Sequence, residues 1–179
     1  MKRSYQARLA QKKARFNKQL RRNKLAVPGV HEFVIVLDHL KTNFNIGKIF
    51  RSAESFGAHE IHLIGIDYFD PDPGKGTLKH VPVHFHDNFQ DCHNALAGRD
   101  YHFYRLDPAA EKSLVTAPLP VRSAFVFGHE EFGFSFKQAD YPEMTGLVIP
   151  QFGKTDSLNV AVAASLVMYE YVRSHATEP

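Results

Sequence analysis

A single cysteine, Cys92, is the only thiol in the chain. No internal disulfide can form, a four-cysteine zinc site is excluded, and this usage suits a reducing cytoplasm. No apolar run approaches the roughly 18 residues that cross a bilayer. The charged N-terminus has no apolar core of the kind a secretory signal needs, so neither a signal nor a membrane location is expected. Acid is missing from one stretch altogether: residues 1–24 hold no Asp or Glu. Three motifs are missing as well. No G-x-G-x-x-G follows the first expected strand, no G-x-x-x-x-G-K-[ST] occurs, and there is no G-x-S-x-G. A dinucleotide Rossmann site, a phosphate loop and a nucleophile elbow are therefore unsupported.

What is present describes one globular domain of 179 residues, 44% of them hydrophobic. The net charge of +3 hides an asymmetry. Ten bases crowd into the acid-free start (Lys2, Arg3, Arg8, Lys12, Lys13, Arg15, Lys18, Arg21, Arg22 and Lys24), whereas acids outnumber bases beyond it. A cationic segment on a mildly acidic body points to a polyanion, nucleic acid foremost. Tyr5, Leu9, Phe16 and Leu20 fall on one stripe at helical spacing, so residues 1–28 read as a basic helical arm. One face could dock on protein while Arg8, Lys12, Arg15 and Arg22 meet RNA phosphates. A frayed, solvated tail is the alternative, and the stripe is too thin for strong membrane binding. Residues 29–179 form the body.

Strands are expected at 33–37, 60–64, 81–85, 101–106, 124–127 and 146–149, the first and last of them buried. Helices are expected at about 45–56, 89–97 and 158–172, with a short one near 136–139. Strands alternating with helices mean an α/β domain with a mostly parallel sheet flanked by helices. The Pro/Gly-rich segment 70–77 reads as a mobile surface loop. His84 and His86 share a strand face with no third metal ligand at persuasive spacing, so solvent-facing histidines are expected. Ser157 stands where the last helix needs an N-cap. The loop before it carries Gln151, Lys154, Thr155, Asp156 and Asn159.

Three clusters fall at the carboxyl ends of expected strands, where open α/β sheets bind ligands. They are Asn45-Ile-Gly-Lys-Ile-Phe-Arg51, Gly128-His-Glu-Glu-Phe-Gly133, and Ile149-Pro-Gln-Phe-Gly153 followed by Ser157-Leu-Asn159-Val160. Singly, each is compatible with capping and turn chemistry. In this order they resemble the N-x-G-x-x-x-R, G-x-E-x-x-G and I-P-M-x-G-x-x-x-S-L-N-V motifs of SpoU-type RNA ribose 2′-O-methyltransferases, members of the SPOUT superfamily. Gln151 stands where Met is usual. The resemblance covers residues 32 to about 172 and leaves the arm aside.

The resemblance implies a C-terminal deep trefoil knot, an exception to the rule against threaded chains. It also implies S-adenosyl-L-methionine held around Leu106, Gly128, Ile149 and Leu158, and a homodimer. The residue matching Arg51 is assigned in that family to activating the ribose hydroxyl. A guanidinium stays protonated at physiological pH, so Arg51 is expected to stabilise developing alkoxide charge instead. Glu130 is expected to orient Arg51 or the ribose, Asn45 and Asn159 to fix the substrate side, and Ser157 to cap the helix and touch Arg51 or a phosphate. No metal is required. The expected activity is 2′-O-methylation of structured RNA, with tRNA slightly favoured over rRNA. The rivals are a catalytically inactive RNA-binding or ribosome-assembly factor that retains the knot, and an unrelated nucleotide-binding enzyme of small molecules.

Overall fold

Why a strand such as Val-Ile-Val-Leu-Asp is apolar throughout becomes clear from its neighbours: it lies mid-sheet, with helices over both faces. The computed structural model describes residues 5–155 and 157–175. Its elements run α1 (Tyr5–Asn23), β1 (Val34–Asp38), α2 (Phe44–Ser55), β2 (Glu60–Ile64), β3 (Val83–His86), α3 (Phe89–Ala97), β4 (His102–Leu106), β5 (Lys112–Ser113), β6 (Ser123–Phe127), β7 (Thr145–Val148) and α4 (Val160–His175). The strands form one sheet in the order β3-β2-β1-β6-β4-β7-β5. All its pairings are parallel, with Val34 opposite Glu60 on one side of β1 and Ala124 on the other. The mostly parallel α/β reading is therefore observed. Among the described residues no helix is long and apolar enough to cross a membrane.

Alternate residues of the strands feed two cores. Ile35, Leu37, Ile61, Leu63 and Phe125 pack with Ile49 and Phe50 of α2 and Ala164 and Met168 of α4. Val34, Val36, Ile64, Ala124 and Val126 pack on the opposite side against Phe89, Cys92 and Leu96 of α3. Small residues on α4 let it approach α2 closely, where Ser52 and Ser165 share a hydroxyl hydrogen bond of 2.7 Å.

Several expectations need correction. The last helix begins at Val160 rather than 158, and its N-cap is Asn159, not Ser157. Asn159 Oδ1 accepts the Ala161 amide at 3.0 Å, and its carbonyl accepts the Ala163 amide. A cap must sit one residue before the first helical one, and Ser157 lies too far back. The helix expected near 136–139 is a single 3₁₀ turn at Gln138–Asp140. Strand β5, only two residues long, carries too little pattern to be read.

The segment 70–77 is not a mobile loop but part of a packed platform that runs through two 3₁₀ turns, Asp72–Gly74 and Thr77–Lys79. A Cβ on Gly47 would lie 3.0 Å from the Gly74 nitrogen, so α2 and the platform touch through backbone. Helix α1 docks on the same platform. Phe16, 3% exposed, meets Tyr68 and Phe69 edge-on at ring-centroid distances of 5.2 Å. Buried Asn23 donates to the carbonyls of Leu78 (2.5 Å) and Val81 (2.6 Å) and accepts the Val83 amide (3.2 Å). Of the expected stripe, Phe16 is the anchor and Leu20 is partly buried, while Tyr5 is 80% exposed. Lys2, Arg3 and Asp156 lie outside the described residues.

Candidate active site

The direction of chain progression across the sheet changes between β1 and β6, and ligands of parallel sheets bind at such a switch, beyond the carboxyl ends of the strands. There the chain builds a cleft of about 630 Å³ from the segments after β4, β6 and β7 and the start of α4. Leu106, Gly128, Ile149 and Leu158 all line it, as do Glu130, Ser157 and Asn159. A shallower depression of about 500 Å³ adjoins it and is lined by Lys48, Arg51, Ser52 and Asn159 among others. Asn159 belongs to both.

The loop after β6 is shaped by two glycines. The amides and carbonyls of His129 and Gly133 pair at 2.7 and 2.9 Å, closing a tight antiparallel bridge. Gly133 takes φ +70° to do this, and a Cβ on Gly128 would lie 2.7 Å from the Gly133 carbonyl carbon. That contact excludes a side chain at Gly128, and the left-handed backbone at Gly133 favours glycine. His129 Nδ1 accepts the Glu131 amide at 3.0 Å, which holds the turn from inside. Below it, Asp38 at the end of β1 is fully buried and accepts both the amide (2.7 Å) and the hydroxyl (2.8 Å) of Ser135. His39 adds a contact to the same carboxylate at 2.7 Å.

Across this loop runs a polar chain. Asn159 Nδ2 donates to Asn45 Oδ1 at 3.2 Å, Asn45 Nδ2 donates to Glu130 Oε1 at 2.9 Å, and the Lys41 amide donates to Glu130 Oε2 at 3.1 Å. Burial pushes the Glu130 carboxyl up, but the bonds from Lys41 and Asn45 outweigh it and leave it below the usual carboxylate range. It is an acceptor held ionised. The Lys41 ammonium pairs with Glu131, so one residue clamps both carboxylates of the loop. Lys41 and Asp38 were not singled out from sequence. An acid ending a fully apolar strand was the available signal for Asp38, whereas nothing local marks Lys41.

The three sequence clusters therefore converge, with one correction. Glu130 does not orient Arg51 here; it holds Asn45 and the Lys41 backbone, while the Arg51 side chain is exposed in the adjoining depression. Asn45, at the first turn of α2, is interposed between Glu130 and α4, and Arg51 lies nearly two turns further on. Two aromatic rings in the segments after β6 and β7, Phe132 and Phe152, are exposed, the latter 99%. On α1, Lys12 and Arg15 pair with Asp70 and Asp72 of the platform, the second pair at 2.8 Å. Arg8 and Arg22 are exposed, without an acidic partner among the described residues.

The cleft's chemistry suits a nucleoside-sized ligand. Its volume lies in the usual range for small-molecule sites, and aliphatic side chains meet the peptide groups of the Gly128 turn at its wall. Among the described residues none of its polar side chains is arranged as a nucleophile with a neighbouring base, whereas the anchored Glu130 carboxylate and the Asn159 amide line it.

Comparison with known proteins gives a consistent result. The model of the SpoU rRNA Methylase family matches residues 32–169. The chain is 28% identical over 146 residues to the putative TrmH family tRNA/rRNA methyltransferase YacO of Bacillus subtilis, covering 79% of this chain and 58% of that protein. It is 29% identical over 150 residues to the 23S rRNA (guanosine-2′-O-)-methyltransferase RlmB of Xylella fastidiosa, covering 81% and 60%. The chain thus spans about 60% of the length of these two curated relatives. A solved structure concerned with "the 2-OH methylation of C/U34 on tRNA" is 29% identical with a TM-score of 0.69, covering 80% of this chain and 95% of that one. The SpoU methyltransferase AviRb of Streptomyces viridochromogenes, solved with AdoMet, is 23% identical with a TM-score of 0.73 over 83% of this chain and 62% of its own, a likeness of fold.

Proposed function

The chain belongs to the SpoU rRNA Methylase family, and from that premise we propose that it methylates a ribose 2′-oxygen in structured RNA, using S-adenosyl-L-methionine. The observation that carries this reading is the convergence of three distant segments on one cleft and the depression beside it, tied by the chain Asn159–Asn45–Glu130. S-adenosylmethionine, when bound, supplies a methyl group already activated by a sulfonium. Leu106, Gly128, Ile149 and Leu158 would hold it through apolar contact and backbone hydrogen bonds, consistent with their place in the cleft.

Catalysis then falls to positioning and charge. The protonated Arg51 guanidinium, in the adjoining depression, faces the side from which RNA would approach and stabilises charge developing on the ribose oxygen. Asn45 and Asn159, fixed by the ionised Glu130, hold the sugar in line. Ser157, at the cleft wall, is available to a phosphate or a hydroxyl. The departing proton goes to water or a phosphate.

The same reading includes a trefoil knot in the C-terminal segment and a homodimer. Val162, Leu166 and Tyr169 form an exposed apolar row at helical spacing on α4, which supports such a contact. Residues 29–179 would be the catalytic body and residues 1–28 the RNA-contacting arm, with exposed Arg8 and Arg22 meeting phosphates first. Lys12 and Arg15 would exchange Asp70 and Asp72 for the same ligand. Transfer RNA is slightly preferred over ribosomal RNA as substrate. The alternative, an inactive RNA-binding factor, must explain why the polar chain is complete.

The test is transfer of labelled methyl from S-adenosylmethionine into unmodified tRNA and, separately, unmodified rRNA. Wild type is expected to label one pool. Arg51→Ala should lose label by a hundredfold or more, as removal of an oxyanion-stabilising donor typically costs about that much, while cofactor affinity stays within about threefold. An Arg51→Ala enzyme as fast as wild type contradicts the assignment.

A further inference from the structure

Far from the cleft, at the β3 edge of the sheet, a second polar cluster lies between β2, β3 and α3. Its centre is His62, 2% exposed and thus placed where an apolar residue would normally sit. His62 Nδ1 lies 2.8 Å from His86 Nε2, and His62 Nε2 lies 3.0 Å from Glu60 Oε1. Buried Glu60 also binds His84 Nε2 at 3.0 Å and pairs with Arg99. The Sγ of fully buried Cys92, from α3, completes a set with His62 and His86 whose donor atoms all lie within 4.8 Å of one another. Parallel register places His62 beside His84 and Ile64 beside His86, so the strands bring these side chains to one face.

We propose that His62, His86 and Cys92 bind a single thiophilic divalent metal ion, with zinc the natural fit, and that Glu60 acts as its outer carboxylate. Two imidazoles and a thiolate are a zinc-type donor set, and three protein ligands leave a fourth tetrahedral position for water. That position has a route to solvent, because β3 is the edge strand and His86 is only half-buried.

Tautomer chemistry supports the assignment. Glu60, ionised and held by Arg99, takes the Nε2–H of His62, which leaves the Nδ1 lone pair pointing at His86. Carboxylate–histidine–metal triads are built in this way. In the metal-free protein one proton must lie between His62 Nδ1 and His86 Nε2, and Cys92 is a free, buried thiol. Metal entry displaces both protons: the one on His86 Nε2 passes to its Nδ1, which frees Nε2 to ligate, and Cys92 loses its proton to solvent. The His62–His86 separation must open by about 0.5 Å to reach tetrahedral spacing. The exposed edge strand permits that.

A second grouping, Glu60 with His62 and His84, shares residues with this one. It is the poorer site, since Glu60 is already engaged by Arg99, His62 and His84. The proposed site is remote from the methyl-transfer chemistry. It would pin β3 to β2 and α3 beside the Asn23 attachment of α1.

The test uses the untagged full chain, stripped with a chelator and titrated with Co(II), then with Zn(II) as displacer. Wild type is expected to bind one Co(II) tightly, with a thiolate-to-cobalt charge-transfer band and tetrahedral visible bands that Zn(II) abolishes. Cys92→Ser should remove the charge-transfer band, and His86→Ala should weaken binding at least a hundredfold. Glu60→Gln should weaken it about 10- to 100-fold, and His84→Ala should leave the band in place. His86→Ala changes a half-exposed residue, so it decides the matter if Cys92→Ser does not fold. Wild type without the band, or a band that survives His86→Ala, overturns the proposal. Binding lost in His84→Ala but kept in Cys92→Ser overturns it in favour of the carboxylate set.

Discussion

Replacing Asn159 by aspartate separates two jobs that one side chain performs. Its Oδ1 caps α4 through the Ala161 amide, and its Nδ2 donates to Asn45 Oδ1. Aspartate keeps the cap and adds negative charge at a helix N-terminus, which favours it by roughly 0.3–1 kcal/mol. It cannot donate to Asn45. Turning the Asn45 amide over gives the new carboxylate a donor but sets Asn45 Oδ1 against ionised Glu130, so one acceptor–acceptor contact persists either way. Alanine loses both bonds, about 1 kcal/mol for the cap and about 0.5–1 kcal/mol for an exposed neutral hydrogen bond.

In a chain of this length each kcal/mol moves Tm by roughly 2–4 °C. Asn159→Ala should therefore melt several degrees low, while Asn159→Asp stays within about a degree of wild type. Methyl transfer should fall in both, by tenfold or more in the aspartate variant, since about 1.4 kcal/mol in the barrier is a factor of ten. Calorimetry and single-turnover transfer, run on the same preparations, read the two effects apart. An aspartate variant with wild-type rate, or one as unstable as the alanine variant, refutes the reasoning.

Phe16→Ala should cost about 3–5 kcal/mol locally, as buried aromatics do, and release α1 from its platform; limited proteolysis within Tyr5–Asn23 should accelerate while the sheet core stays protected. Arg8→Glu with Arg22→Glu should weaken RNA binding and flatten its salt dependence by about one unit of slope per lost phosphate contact, with cofactor affinity unchanged. Tyr104 and Tyr171 donate their hydroxyls to the carbonyls of Pro118 and Val121, and burial pushes both phenols from 10.0 up to about 12. The unfolded chain therefore releases these protons first. Their contribution, on the order of 2 kcal/mol each, is intact below pH 10 and lost as pH rises toward 12, which urea midpoints at about pH 9 and about pH 11 will measure.

The sheet and cleft were largely legible because their signals are local: apolar runs for strands, and glycines and polar side chains where strands end. Gly128 and Gly133 are fixed by the turn they make, and the residues expected to hold the cofactor do line the cleft. What escaped depends on contacts between distant segments. Ser157 and Asn159 are both good caps, and only the start of α4 chooses between them. Segment 70–77 has the composition of a mobile loop, but Gly47 and Gly74 in close approach pack it against α2. The apolar stripe of the acid-free arm shows a face that could dock on protein, but not the platform it docks on or that Asp70 and Asp72 pair with Lys12 and Arg15. His84 and His86 lacked a third ligand along the chain; β2 brings His62 to both, and α3 brings Cys92 to His62 and His86.

The central claim is that the methyl group goes to a ribose 2′-oxygen. After labelling of unmodified RNA, alkaline hydrolysis reads this directly, because cleavage requires a free 2′-hydroxyl. The account predicts label in alkali-resistant dinucleotides that yield a 2′-O-methylnucleoside, and its loss with Arg51→Ala. Label in alkali-labile mononucleotides, carried on the base, would contradict it.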